Sequence, residues 1–123
     1  MISRYFDLAE FRSRDGADFP EAVEHAIVYQ LAPVLDVIRE HVGEPLLVTS
    51  GYRSPVHNAR VGGAPRSWHL TGLAADLKAR STSASDLHGL IEDLIGEGRI
   101  PDGGLGLYAS WVHYDLGPAG RRW

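Results

Sequence analysis

The sequence predicts a single α+β domain. Two stretches carry apolar residues at helical spacing, two short apolar runs are bounded by turn residues, and a pair of alternating segments meets at a two-residue turn. The chain has 123 residues, a length that suits one domain over residues 1–123 with one core.

In order, residues 3–20 mix charges, aromatics and Gly16. Phe6, Leu8 and Phe11 pack as a short opening segment, and Arg12 to Gly16 reads as a turn. Pro20 followed by Glu21 marks a helix start, because proline suits the first helical position and an acid suits the first turn. Ala22, Ala26, Ile27, Leu31, Val34, Leu35, Ile38 and Val42 continue at helical spacing. Pro33 interrupts them, so a kink or two abutting helices are expected. Gly43 ends the helix and Pro45 prevents its resumption.

Leu46 to Thr49 reads as a buried strand, followed by the turn-rich loop Ser50-Gly-Tyr-Arg-Ser-Pro55. Residues 56–66 read as irregular, with one helical turn near 55–60. Leu73 to Leu77 is a second short buried strand. Ser83 with Asp86 three residues on resembles a capping box with aspartate in place of Glu or Gln. Leu87, Leu90, Ile91, Leu94 and Ile95 form the apolar stripe of the helix that follows, ending near Gly96 to Gly98. Segments 104–108 and 111–116 form a hairpin about Ala109-Ser110. Gly62, Gly63, Gly103 and Gly104 read as turn glycines.

Composition removes several function classes. There are no cysteines, which excludes thiolate metal sites, a thiol nucleophile and disulfides. A net charge of −4 argues against nucleic acid as a partner, since such a surface would show a basic stripe. No run is long enough to span a membrane, and the N-terminus lacks an apolar signal core. Location stays open between the cytoplasm and release to the outside, and a monomer is expected. No G-K-[ST] follows the glycines and no G-x-S-x-G occurs, so neither a phosphate loop nor a serine hydrolase is supported.

The chemistry concentrates in Ser67-Trp-His69-Leu-Thr-Gly72-Leu-Ala-Ala-Asp76 and in Trp111-Val-His113-Tyr-Asp115. Gly72 permits a sharp turn after His69. On a strand, Ala74 and Asp76 share one face, and Trp111, His113 and Asp115 share one face of theirs. His69, Asp76 and His113 read as three ligands of one zinc ion, with the fourth corner left for water as in catalytic sites. The competing reading is a buried Asp76–His69 hydrogen bond without metal, and spacing alone does not choose between them. Arg53, in a loop after a buried strand, projects into a cleft to pair with a carboxylate or peptide carbonyl, or forms an ordinary loop ion pair. His57 reads as structural or exposed, and His25, His41 and His88 as solvated helix residues.

The motifs Ser50-Gly-Tyr-Arg-Ser-Pro, Asn58, Val61-Gly-Gly-Ala, Ser67-x-His69-x-x-Gly72-x-Ala74-x-Asp76, Gly104-x-Gly106-x-Tyr108 and Trp111-Val-His113-x-Asp115 resemble those of the zinc D-Ala-D-Ala carboxypeptidase family. The likeness is to its small murein endopeptidase-like and phage-associated members, with the hedgehog signalling domain a more distant relative. It spans roughly residues 5–117. The resemblance implies a small antiparallel sheet that carries the metal, with helices packed on one side. It implies zinc as cofactor, held by His69, Asp76 and His113, Arg53 as the group that orients substrate or stabilises the oxyanion, and Ser67 lining the site. It implies as substrate the peptide stems of peptidoglycan, cut beside D-amino acids by a carboxypeptidase or endopeptidase.

One position departs from the pattern. Many family members carry an acid three residues before the last histidine as general base, and here that residue is Ser110. Asp115 is the nearest substitute in sequence, either activating water or holding a ligand histidine from behind. The missing acid also leaves room for a zinc-bearing, non-catalytic wall-binding or virion-assembly module.

Overall fold

A computed structural model describes residues 1–123. One 3-10 turn, Leu8–Phe11, precedes a continuous helical path made of α1 (Glu21–Ala26), a π-helical turn (Ile27–Leu31) and α2 (Ala32–Val42). Then come β1 (Leu46–Ser50), α3 (Pro55–Arg60), a second 3-10 turn (Trp68–Thr71), β2 (Ala74–Ala79), α4 (Ala84–Gly96), β3 (Gly104–Leu107), β4 (Val112–Asp115) and β5 (Arg121–Arg122). No helix is long and apolar enough to cross a membrane.

The expected break at Pro33 takes the form of the π turn. Proline has no N–H to give to Tyr29 and its ring crowds that carbonyl, so the extra residue of a wider turn just before it relieves the clash while Leu31 and Ala32 keep helical angles. Gly43 then stops α2 at φ 75°, a left-handed conformation that glycine adopts without penalty. Ser83 caps α4 by accepting from the Asp86 N–H at 3.1 Å.

The sheet runs β1-β2-β4-β3-β5. Its first four strands pair antiparallel, whereas β5 pairs parallel to β3, which makes the sheet mixed. β1 lies at the edge, so it alternates rather than being buried throughout: Leu46 and Val48 face the core while Leu47 is exposed.

The two faces of the sheet divide the work. Ala75, Leu77, Leu105, Val112 and Tyr114 point to the helix side and pack with Ile27, Leu31, Leu35, Leu87 and Ile91. Each fully buried aliphatic or aromatic side chain there contributes about 1.5–3 kcal/mol. The opposite face carries Ala74 and Asp76 of β2, His113 and Asp115 of β4, and Gly104 and Gly106 of β3. Asp76 pairs directly with His113, and His113 with Gly106, so one row across three strands holds a carboxylate, an imidazole and a gap.

Candidate metal centre

The three sequence-predicted donors come from three elements that meet on the sheet face opposite the apolar core. His69 sits in the Trp68–Thr71 turn, whose start is capped by Ser67 Oγ accepting from the His69 N–H at 3.2 Å. Gly72 ends the turn at φ 78°, where a Cβ would lie 2.8 Å from the Val23 carbonyl of α1, so only glycine fits. The Arg53 N–H also donates to the His69 carbonyl at 3.0 Å, tying the turn to the loop after β1. Asp76 and His113 stand opposite each other on β2 and β4. All three are buried, at 2%, 8% and 8% exposure, a depth at which unpartnered donors and charges are costly.

Their ring nitrogens are fixed from behind. His69 Nδ1 lies 2.7 Å from the Gly51 carbonyl, and a carbonyl only accepts, so that nitrogen carries the proton. Its Nε2 lone pair then faces Asp76 Oδ1 at 3.3 Å. His113 Nε2 lies 2.7 Å from Asp115 Oδ2 and donates to it, which turns Nδ1 towards the same Asp76 Oδ1 at 3.1 Å.

Two imidazole lone pairs and a carboxylate oxygen therefore converge, acceptor against acceptor, all within 4.8 Å of one another. A cation resolves this arrangement. Atoms about 2.0–2.1 Å from a tetrahedral zinc lie about 3.3 Å apart, the separation that the two His–Asp pairs have. The N, N, O donor set fits zinc, and the reading without metal requires protons on both rings in place of the ion.

Charge follows the same geometry. In the metal-free fold, with both rings protonated towards it, burial alone would raise the Asp76 carboxyl, but the hydrogen bonds from His113 and His69 outweigh it and hold it well below the usual carboxylate range. Asp115 is likewise pushed up by burial and brought down further by His113 and Arg121, to about 2. Burial disfavours charge on His113, yet the carboxylates of Asp115 and Asp76 raise its pKa above the ordinary histidine value.

The donors floor a cleft of about 610 Å³. Arg53 lines it, held by Ser50 Oγ at 3.2 Å, Asn58 Oδ1 at 3.4 Å and Asp76 Oδ2 at 3.4 Å. Ser67 lines it too. His57 sits half-buried in α3 and does not line the cleft; His25 and His41 are exposed and His88 is half-buried. Ser110 is outside the cleft altogether, in a separate depression beside Ser81, Thr82 and Ser83. Asp76 and Asp115 are the two carboxylates at the cleft, and Asp115 is fully buried.

Arg121 and Trp123 are among the lining residues that had no role in the sequence reading. Arg121 forms an ion pair with Asp115, and the Trp123 ring lies 5.0 Å from that of His113. Gly104, expected in a turn, is in β3, and Gly104 with Gly106 makes room for both. The available signal was that pair: alternate glycines inside a strand mark a face that something else approaches.

No curated protein matches the chain. The family model described as Peptidase M15 matches residues 4–115, which covers most of the sequence and all three donors. With that match and a His-Asp-His cluster that fits a metal, the chain belongs to the peptidase M15 family, the zinc D-Ala-D-Ala carboxypeptidases.

Proposed function

We propose that this chain is a zinc-dependent peptidase that hydrolyses peptide bonds beside D-amino acids in the peptide stems of peptidoglycan. The observation that carries the reading is the convergence of His69 Nε2, Asp76 Oδ1 and His113 Nδ1, with each ring's other nitrogen already committed behind it. Zinc, when bound, polarises the scissile carbonyl and acidifies water towards a pKa of about 7.

The chain's own groups do the rest. His69, Asp76 and His113 hold the ion, and the Gly51 carbonyl and Asp115 orient the two rings. The Arg53 guanidinium projects beside Asp76 and carries the negative charge that develops on the substrate oxygen. Ser67 shapes the wall next to His69. Water adds across the C–N bond, and the products are a carboxylate and an amine.

Asp115 serves this reaction as a partner of His113 rather than as the proton acceptor. Its Oδ1 accepts from the N–H groups of Gly104 at 3.1 Å and Gly117 at 2.9 Å and from Arg121, and its Oδ2 from His113. One observation favours a second reading, a zinc-bearing wall-binding module without catalysis: both cleft carboxylates are already engaged.

A digest of purified peptidoglycan, with and without chelator, analysed by mass spectrometry, separates the two. New amine termini that vanish with chelator support the peptidase. Retention of peptidoglycan with no new termini supports the module.

A further inference from the structure

We propose that Arg121 and Trp123 are positioning residues of the metal centre: they reach through the gap left by Gly104 and Gly106 and hold Asp115 and the His113 ring so that Nδ1 faces Asp76 and His69. The inference rests on the reading of those three donors as a zinc site. The family match ends at residue 115, so both residues lie beyond it.

β5 does not touch β4 through its backbone, because β3 lies between them. Adjacent strands are about 4.8 Å apart, so a side chain from β5 must cross roughly twice that to reach β4. An ordinary β3 residue would block the way. A Cβ at Gly104 would sit 2.9 Å from Asp115 Cγ and 3.0 Å from Arg121 Nη1, and one at Gly106 would fall inside the Trp123 indole.

Through this window Arg121 reaches Asp115 with both terminal nitrogens, Nη2 to Oδ1 and Nη1 to Oδ2 at 3.4 Å. Its Nε donates to the Pro118 carbonyl at 2.9 Å, which fixes the fork. Trp123 is fixed as well. Its N–H donates to Leu105 O at 3.2 Å, its carbonyl accepts from the Leu107 N–H at 2.7 Å, and its Nε1 donates to Tyr108 Oη at 2.8 Å. Tyr108 in turn stacks on Trp111 at 4.6 Å and 7°.

The consequence is a chain of constraint. An imidazole can rotate about its attachment and present a carbon where a nitrogen is needed. Asp115 selects one orientation of His113 by accepting from Nε2, and Arg121 keeps the carboxylate aimed at that nitrogen. The indole lies against the His113 ring, with centroids 5.0 Å apart and planes tilted by 43°. Partners that act through a ligand histidine in this way typically change metal affinity about ten- to hundredfold.

The test compares the full chain with Arg121→Ala, Arg121→Lys and Gly106→Ala. The readouts are zinc affinity, by competition with a chromophoric chelator, and the NMR resonance of the His113 Nε2 proton. The expected results are one zinc per wild-type chain, affinity about ten- to hundredfold weaker in Arg121→Ala with the resonance shifted or exchanged away, and partial recovery in Arg121→Lys. Gly106→Ala, whose Cβ would meet the indole first, should weaken zinc in the same direction. A purely structural ion pair would lower the melting temperature of the metal-free protein and leave both readouts unchanged; that result overturns the proposal. If Arg121→Ala does not fold, wild-type affinity in Gly106→Ala overturns it instead. A wild-type chain that takes up no zinc overturns the underlying metal reading, and is distinguishable because it precedes any comparison of variants.

Discussion

His113 Nε2 donates to Asp115 Oδ2 at 2.7 Å, and Asp115 is fully buried behind the ring. This contact turns the His113 Nδ1 lone pair into the cleft, so it separates two roles for Asp115 that a His-x-Asp spacing leaves together. A carboxylate that orients a ligand histidine alters how tightly metal is held, whereas a general base alters how fast water attacks. Asp115→Asn is therefore expected to weaken zinc about ten- to hundredfold and to lose less than about tenfold in kcat at saturating zinc. A fall of about 10²–10⁴ in kcat with unchanged zinc affinity would instead make Asp115 the base.

Removal of a donor should be more severe. His113→Ala and His69→Ala are each expected to lose stoichiometric zinc and all chelator-sensitive cleavage, measured by metal analysis of the purified protein and by the muropeptide digest. Digestion at the wild-type rate by His113→Ala would show that the assignment of the site is wrong.

Arg53 faces the cleft from between Ser50, Asn58 and Asp76. In Arg53→Ala the expected loss is about 10²–10³ in kcat, the size found when one oxyanion donor is removed, with zinc stoichiometry kept. A change confined to KM would assign Arg53 to ground-state binding.

The pH response follows from His113. Its pKa in the metal-free fold is raised: burial works against the charge and the Asp115 and Asp76 carboxylates more than compensate. Such a group adds stability that is complete below the unfolded histidine value of about 6.5 and is lost as pH rises through the folded value. Zinc needs the neutral ring, so its affinity moves the other way. The gap in melting temperature between zinc-loaded and chelated protein should widen between about pH 6 and pH 8. A gap that narrows over that range would contradict the protonation order.

Gly72 joins local conformation to the site. With φ 78° and a Cβ position 2.8 Å from the Val23 carbonyl, Gly72→Ala is expected to cost about 1–3 kcal/mol. Thermal unfolding measures it, and a wild-type melting temperature would mean that the turn relaxes freely.

Much of this protein was already legible in the order of its residues. The helical stripes, the short strands, the glycine stops at Gly43 and Gly72 and the alternation that puts His113 and Asp115 on one face are properties of neighbours along the chain, and local sterics and periodicity report them. His69, Asp76 and His113 were legible as candidates, because a carboxylate within an apolar strand and histidines outside helical stripes have few inexpensive explanations, but spacing left a metal-free His69–Asp76 pair equally open and only the family resemblance favoured zinc. The sheet edges were not. Whether β1 is buried on both faces depends on what lies beside it, and the parallel partner of β3 is two residues long, too short for any periodicity.

Strand order set Gly104 between Arg121 and Asp115 and Gly106 between Trp123 and His113, and so turned two glycines in a strand into a passage. Sequence determined which groups are available for chemistry here. Tertiary structure decided which nitrogen of each ring faces the cleft, because that depends on hydrogen bonds such as those to Gly51 and Asp115, whose partners become neighbours only after the sheet has closed.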